Sequence, residues 1–254
     1  GIDSGKITPD TTFVDPGSLT LNGKTIKNWD LKAHGRVTMT NVIEKSINTG
    51  AAFAERTTGN DVFYEYLKKF GLKELTEVDA PGEIAGSLKP LEKDVRDINF
   101  ATASFGQGIS MTPIRLITAI SVIANGGVLM KPYISAESQP EVVRRVISED
   151  TSRKVIDMMV SAVNKAQIAR ISGYNVAGKT GTALVPNFTS GGYTDDVINT
   201  YIGFAPAYEP RFIILIRLDK PAGAPLAGLT VVPAFRALAH FIINYYGIPP
   251  DNMQ

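Results

Sequence analysis

Lys179-Thr180-Gly181-Thr182 places a cation, two hydroxyls and a glycine side by side, within the run Tyr174-Asn175-Val176-Ala177-Gly178-Lys179-Thr180-Gly181-Thr182-Ala183-Leu184-Val185. On a strand edge, such a run can grip a carboxylate and an acyl oxygen. The glycine suits a strand that a ligand backbone must approach closely. In acyl transfer a lysine-threonine-glycine triplet works beside a serine-x-x-lysine nucleophile and a serine-x-asparagine element. Ser46-Ile47-Asn48 has the form of the last of these. The nucleophile element is missing: no serine among the 254 residues is followed three positions later by lysine.

The two motifs differ in weight. At ordinary residue frequencies a lysine-threonine-glycine triplet arises by chance in roughly 0.05–0.1 of chains this long, whereas a serine-x-asparagine triplet arises about once per chain. Placement must therefore decide the meaning of Ser46 and Asn48. Apolar positions Val42, Ile43, Ile47, Ala51 and Ala54 recur at helical spacing over residues 38–56, with Asn48-Thr49-Gly50 interrupting. Two helices joined at a polar break are expected there, and such a break can turn two polar side chains toward a cleft. The plainer alternative makes Ser46 a helix C-terminal residue and Asn48 the cap of the next helix.

The elements around these motifs can be read in order. Residues 1–35 are rich in Gly, Asp, Asn, Thr and Pro and predict turns and short strands. A helix opening at Asp61 should close at Gly71 as a left-handed cap. Thr112-Pro113 is a cap followed by proline at the first helical position, and Gly126-Gly127 ends that helix. A helix over 149–165 precedes strands over 176–186, 198–206 and 211–218, and a helix over 232–246 covers them. Phe212-Ile213-Ile214-Leu215-Ile216 is apolar on both faces. Helices should therefore pack on both sides of the sheet, giving a three-layer α/β domain. With no repeat, low-complexity tract or linker, one domain spanning 1–254 is expected.

Composition removes several function classes. A net charge of +1 leaves no basic footprint for nucleic acid. The absence of cysteine excludes a disulfide framework, a thiolate metal site and a cysteine nucleophile. No stretch has the length of a membrane span, and the N-terminus lacks a signal-peptide layout. His34 and His240 lie far apart, neither beside a carboxylate pair, which argues against a histidine triad. Trp29 reads as a packing anchor, and Asp195-Asp196, after Ser190-Gly191-Gly192, as a solvated loop with too few ligands for a metal. No cofactor and no metal are expected.

Further runs extend the pattern. Gly106-Gln107-Gly108-Ile109-Ser110-Met111-Thr112-Pro113 precedes a helix that Ala124-Asn125-Gly126-Gly127 ends, and Tyr201-Ile202-Gly203-Phe204-Ala205-Pro206 leads to the apolar strand. With the tetrad and Ser46-Ile47-Asn48, in this order and over essentially the whole chain, they resemble the transpeptidase domain of class B penicillin-binding proteins. The resemblance implies a β-lactamase/DD-peptidase-like α/β (α+β) fold, an antiparallel sheet flanked by helices. It implies serine acyl transfer on the D-Ala-D-Ala end of peptidoglycan stem peptides, with β-lactams acylating the same serine. Ser46 would relay a proton toward the leaving nitrogen beside Lys179, whose charge would favour that relay and the substrate carboxylate. Asn48 would contact the substrate amide carbonyl. Thr182 would offer its hydroxyl to the carboxylate and its N–H to the oxyanion. Thr180 and Gly181 would complete the substrate-binding strand, Thr180 turned more to the framework than to the substrate.

The nucleophile serine lies upstream of the serine-x-asparagine element in that family, and residues 1–11 resemble the segment just after its helix. The chain is therefore expected to begin at the end of that helix, incomplete on its N-terminal side by two sheet strands. Ser4 and Lys6, two apart with Gly5 between and Pro9 following, do not replace it. Residues 211–218 would then form an open apolar sheet edge, expected to be covered by an upstream part of the same domain, another copy or a rearranged packing. The implied partners are stem peptides, β-lactams, that upstream part and the cell-wall synthesis machinery. The implied location is the outer face of the bacterial plasma membrane, through an anchor outside the chain. A β-lactamase or DD-carboxypeptidase of the same fold, and a non-catalytic β-lactam sensor or scaffold, remain open.

Overall fold

The computed structural model describes every residue except Asp94, Phe188, Ser190, Ala224, Pro225, Met253 and Gln254; the expected loop position of Ser190 thus lies outside the described residues. The chain forms two compact units, Gly1–Val155 and Ile156–Gln254. Their boundary falls inside one continuous helix, Glu149–Ala166. The sequence expectation of a single domain had no linker to weigh, because a helix with unbroken periodicity leaves no compositional mark.

In the first unit the turn-rich opening becomes β1 (Thr12–Asp15), β2 (Ser18–Leu21), β3 (Lys24–Lys27) and β4 (Gly35–Thr38). β1 pairs antiparallel with β4, and β2 with β3. Asn22 and Gly23, at φ 47° and 74°, make the two-residue turn of the β2–β3 hairpin, because a turn matched to strand twist requires positive φ at both positions. Thr38 then caps α1 (Met39–Lys45), its hydroxyl accepting from the Asn41 N–H while the Asn41 side chain accepts from the Thr38 N–H.

The break before α2 (Asn48–Thr58) sits at Ser46-Ile47, earlier than the polar run Asn48-Thr49-Gly50 suggested. Ser46 turns the chain by itself, at φ 56° and ψ 51°. Gly50 lies inside α2 for a packing reason: a Cβ there would stand 2.4 Å from Val42 Cγ2 and 3.1 Å from the Phe13 ring.

α3 (Asn60–Lys69) ends where Gly71 takes φ 75°, as expected. α4 (Lys89–Lys93) and α5 (Asp97–Ala103) follow, then α6 (Pro113–Ala124), whose cap Thr112 accepts from the Arg115 N–H. β5 (Val128–Lys131) and β6 (Glu141–Arg145) form an antiparallel pair. α3 and α6 share a core of Leu72, Leu88 and Ala119 with Tyr64, Leu67 and Phe70. α7 (Glu149–Ala166) leads into the second unit.

Glu55 of α2 is an exception in this core. It is 2% exposed, and neither carboxylate oxygen has a hydrogen-bond partner among the described residues. Burial raises its carboxyl to about 7, Asp97 adds to the rise, and Arg56 opposes it. A raised carboxyl pKa favours the protonated fold, so its contribution is full below the unfolded value of 4.5 and is lost as the pH climbs to about 7. The loss should be about 1–3 kcal/mol. Glu55→Gln, neutral throughout, is expected to flatten that part of the urea-midpoint profile between pH 4.5 and 7. An unchanged slope in the variant would remove Glu55 as its source.

The second unit is built on β7 (Ala177–Pro186), β8 (Tyr193–Ala205) and β9 (Phe212–Asp219), a three-stranded antiparallel sheet in that order. A 3-10 turn at Ala227–Leu229 precedes α8 (Val231–Tyr245). Val231, Phe235 and Ala239 of α8 pack with Val163 of α7, Val176, Tyr201, Ala205 and Ile214. Ile202 and Phe204 point to the opposite face of β8 and are buried too. β8 starts well before residue 198, so Asp195 and Asp196 lie in a strand and not in the expected loop; Asp196 pairs with Lys220 at 2.8 Å. Among the described residues β9 is paired on one side only, at the sheet edge.

Candidate functional site

The tetrad occupies β7, itself an edge strand whose neighbour is β8. Lys179, Thr180, Gly181 and Thr182 stand opposite Ile202, Tyr201, Thr200 and Asn199. The position on a strand edge matches the sequence expectation. Strand alternation puts Lys179 and Gly181 on one face and Thr180 and Thr182 on the other. On the first face a Cβ at Gly181 would meet Thr200 Oγ1 at 2.4 Å, so only glycine keeps that surface flat.

The Lys179 side chain is partly buried and its ammonium end is enclosed. Nζ donates to the Thr180 carbonyl oxygen at 2.9 Å and to Thr180 Oγ1 at 3.3 Å. Burial lowers its pKa from the lysine value of 10.5 to about 8, since a low-dielectric surrounding penalises the charged form. Thr180 is thus tied to its neighbour Lys179 along the strand.

Thr182 is exposed, and its hydroxyl donates to Asn199 Oδ1 at 3.2 Å. Fully buried Asn199 passes the chain on, its Nδ2 donating to Thr230 Oγ1 at 3.1 Å. Sequence reasoning missed Asn199; an asparagine amid the apolar residues of β8 was the available signal.

In the first unit Ser46 and Asn48 flank the α1–α2 break. Ser46 is the left-handed C-cap of α1, and its N–H donates to the Val42 carbonyl. Both the capping and the catalytic alternatives are compatible with that placement. Asn48 is not the cap of α2: the cap position is Ile47, without a side-chain bond. Asn48 Nδ2 instead donates to the Lys27 carbonyl oxygen at 2.9 Å. That bond uses one of two amide hydrogens, so a second N–H and Oδ1 remain for a ligand.

Trp29 differs from its reading as a packing anchor. It is 58% exposed, and its indole N–H donates to the Lys45 carbonyl oxygen at 3.0 Å, satisfying the end of α1. His34 does have a carboxylate neighbour, with Nε2 3.2 Å from Asp30. A residue spacing of one helical turn within a loop hid that pair. Among the described residues no group of three or more His, Asp and Glu side chains could hold a metal, and no helix is long and apolar enough to cross a membrane.

The family model for the penicillin binding protein transpeptidase domain matches residues 1–239. Penicillin-binding protein PbpB of Mycolicibacterium smegmatis is 35% identical over 280 aligned positions, covering 98% of this chain and 42% of the relative. Stage V sporulation protein D of Bacillus subtilis is 35% identical, covering 95% of this chain and 40% of its own length. The chain thus spans about two fifths of these relatives.

Among solved structures, the transpeptidase domain of penicillin-binding protein 3 from Burkholderia pseudomallei superposes with a TM-score of 0.88 at 30% identity, over 98% of this chain and 76% of that one. Penicillin-binding protein 3 from Mycobacterium tuberculosis, solved with ampicillin, gives 0.86 at 32% identity, over 100% of this chain and 60% of that one. By the family model over residues 1–239 and these relatives, the chain belongs to the penicillin-binding protein transpeptidase domain family.

Proposed function

We propose that this chain supplies part of a peptidoglycan D,D-transpeptidase site that also binds penicillins. In the reaction a serine hydroxyl attacks the D-Ala-D-Ala amide, its proton passes to the leaving D-alanine amine, and an acceptor amine then cleaves the ester. The attacking serine is not among these 254 residues, which hold no serine-x-x-lysine. Lys179 and Thr182 would take the substrate carboxylate, with Ser46 as the proton relay and Asn48 as the donor to the amide carbonyl. A preorganised donor such as the Thr182 N–H contributes a few kcal/mol to an oxyanion. Gly181 would let the substrate backbone lie along the open edge of β7, which side chains of both faces can reach, with Thr180 tied to Lys179.

The observation that carries this reading is the enclosed ammonium of Lys179 on an edge strand, beside an exposed Thr182 hydroxyl fixed by buried Asn199. A desolvated cation interacts with a carboxylate far more strongly than one in water. The reading extends to a location on the outer face of the bacterial plasma membrane, through an anchor, and to partners in cell-wall synthesis.

The natural full-length chain, given a stem-peptide donor and an amine acceptor, is expected to yield the cross-linked product with release of D-alanine. Release without cross-linking would instead support a carboxypeptidase or, with penicillin turnover, a β-lactamase. A non-catalytic scaffold would show neither reaction.

A further inference from the structure

Asp15, at the end of β1, is 1% exposed, and the four donors that the described residues bring to it are all neutral. Its Oδ1 accepts from the Thr49 hydroxyl at 2.5 Å and the Gly17 N–H at 2.9 Å. Its Oδ2 accepts from Asn28 Nδ2 at 2.8 Å and the His34 N–H at 2.9 Å. Burial pushes the carboxyl pKa up, but the bonds from Thr49, Gly17, His34 and Asn28 outweigh it and hold it below the usual carboxylate value. The group is thus an ionised carboxylate held by neutral donors, an arrangement that works only when each donor is in place.

Two of those donors, Thr49 and Asn28, meet at the first turn of α2. Ile47 offers that helix no side-chain cap, leaving its first N–H groups to find partners elsewhere. Asn28, also 1% exposed, supplies one: its Oδ1 accepts from the Thr49 N–H at 3.2 Å. Thr49 is the residue after Asn48, and Lys27, which holds the Asn48 amide, is the residue before Asn28. Two adjacent residues of one strand end thus grip two adjacent residues of the helix start, and Asp15 fixes both partners of the second grip.

We infer that Asp15 is a positioning residue, which through the Thr49 hydroxyl and Asn28 sets where Asn48 is presented to an acyl-transfer substrate. The inference rests on the acyl-transfer reading above. A helix start displaced by about 1 Å can cost on the order of 10²-fold in rate without altering any group that touches substrate.

The test uses the natural full-length chain, with penicillin acylation resolved into a binding constant and an acylation rate constant. Asp15→Asn and Thr49→Val are expected to lower the rate constant by about 10- to 100-fold while binding changes less than about 3-fold. Thr49→Ser, which keeps the hydroxyl, should stay within about 3-fold of the unaltered chain. Equal losses in Thr49→Ser and Thr49→Val would overturn the inference. So would a loss that only tracks the folded fraction, an unchanged rate constant, or failure of both Asp15→Asn and Thr49→Val to fold.

If the unaltered full-length chain takes no penicillin, the acyl-transfer reading falls and positioning is read from the Asn48 side chain of that same full-length chain. There the Asn48 side-chain amide protons should move toward free-amide shifts in Thr49→Val and stay put in Thr49→Ser; no movement in Thr49→Val overturns the inference.

Discussion

A fluorescent penicillin is expected to leave these 254 residues without label after denaturation in detergent. Covalent capture needs a serine made nucleophilic by a nearby base, and loss of such a serine costs on the order of 10⁶-fold in a serine hydrolase. Ser46, the serine best placed by motif, has Thr49 three residues on and terminates a helix instead of presenting one. Ser4 sits in a turn, its hydroxyl bonded to the Gly1 carbonyl oxygen at 3.0 Å, and Gly5 at φ 72° breaks any helical relation to Lys6. A denaturation-resistant adduct, located by mass spectrometry on any serine of this chain, would refute the expectation. The natural full-length chain should take label under the same conditions if the transpeptidase reading holds.

The second large effect separates catalysis from stability. In the natural full-length chain Lys179→Met should slow penicillin acylation by about 10²- to 10³-fold, the range seen when one charge-stabilising donor is removed from an acyl-transfer site. The fold should gain stability at the same time. With its pKa at about 8 when folded and 10.5 when free, Lys179 binds its proton less well in the fold. The unfolded chain therefore holds more protons between those values, and stability rises with pH across that window. Below pH 8 the enclosed charge costs the fold about 1–3 kcal/mol, which methionine does not incur. Slower acylation with a raised melting temperature is the expected pair. Slower acylation with a lowered melting temperature would show that Lys179 is needed structurally. For the unaltered full-length chain, acylation should also decline above about pH 8, as the ammonium is lost.

What could be read from the chain followed local rules. The Thr112-Pro113 start of α6, the Gly71 stop after α3 and the apolar periodicity of α7 and α8 are each set by residues within one turn, and they stand where expected. The strand position of the tetrad was legible from the apolar residues on either side of it, Val176-Ala177 and Ala183-Leu184-Val185.

Long-range partners were not legible. Asp15 reaches Thr49, and Thr182 reaches Asn199, across spacings that no periodicity marks. Asp195 and Asp196 looked like loop residues because their charge outweighed the pairing partner that only the sheet supplies, Val197 and Ile198 lying opposite Leu184 and Ala183. Asn48 looked like a helix cap by type; the strand end at Lys27 competes for its amide and wins.

The left-handed conformation of Ser46 sets two unrelated demands on whatever occupies that position. Glycine and asparagine enter the φ 56° region readily but bring no hydroxyl. Threonine brings the hydroxyl, but its β-branch makes that region costly. Serine is small enough to turn the corner and still carries an oxygen. Drift at this position is thus constrained from two sides, and a substitution that looks conservative by chemistry is the less tolerable one by shape.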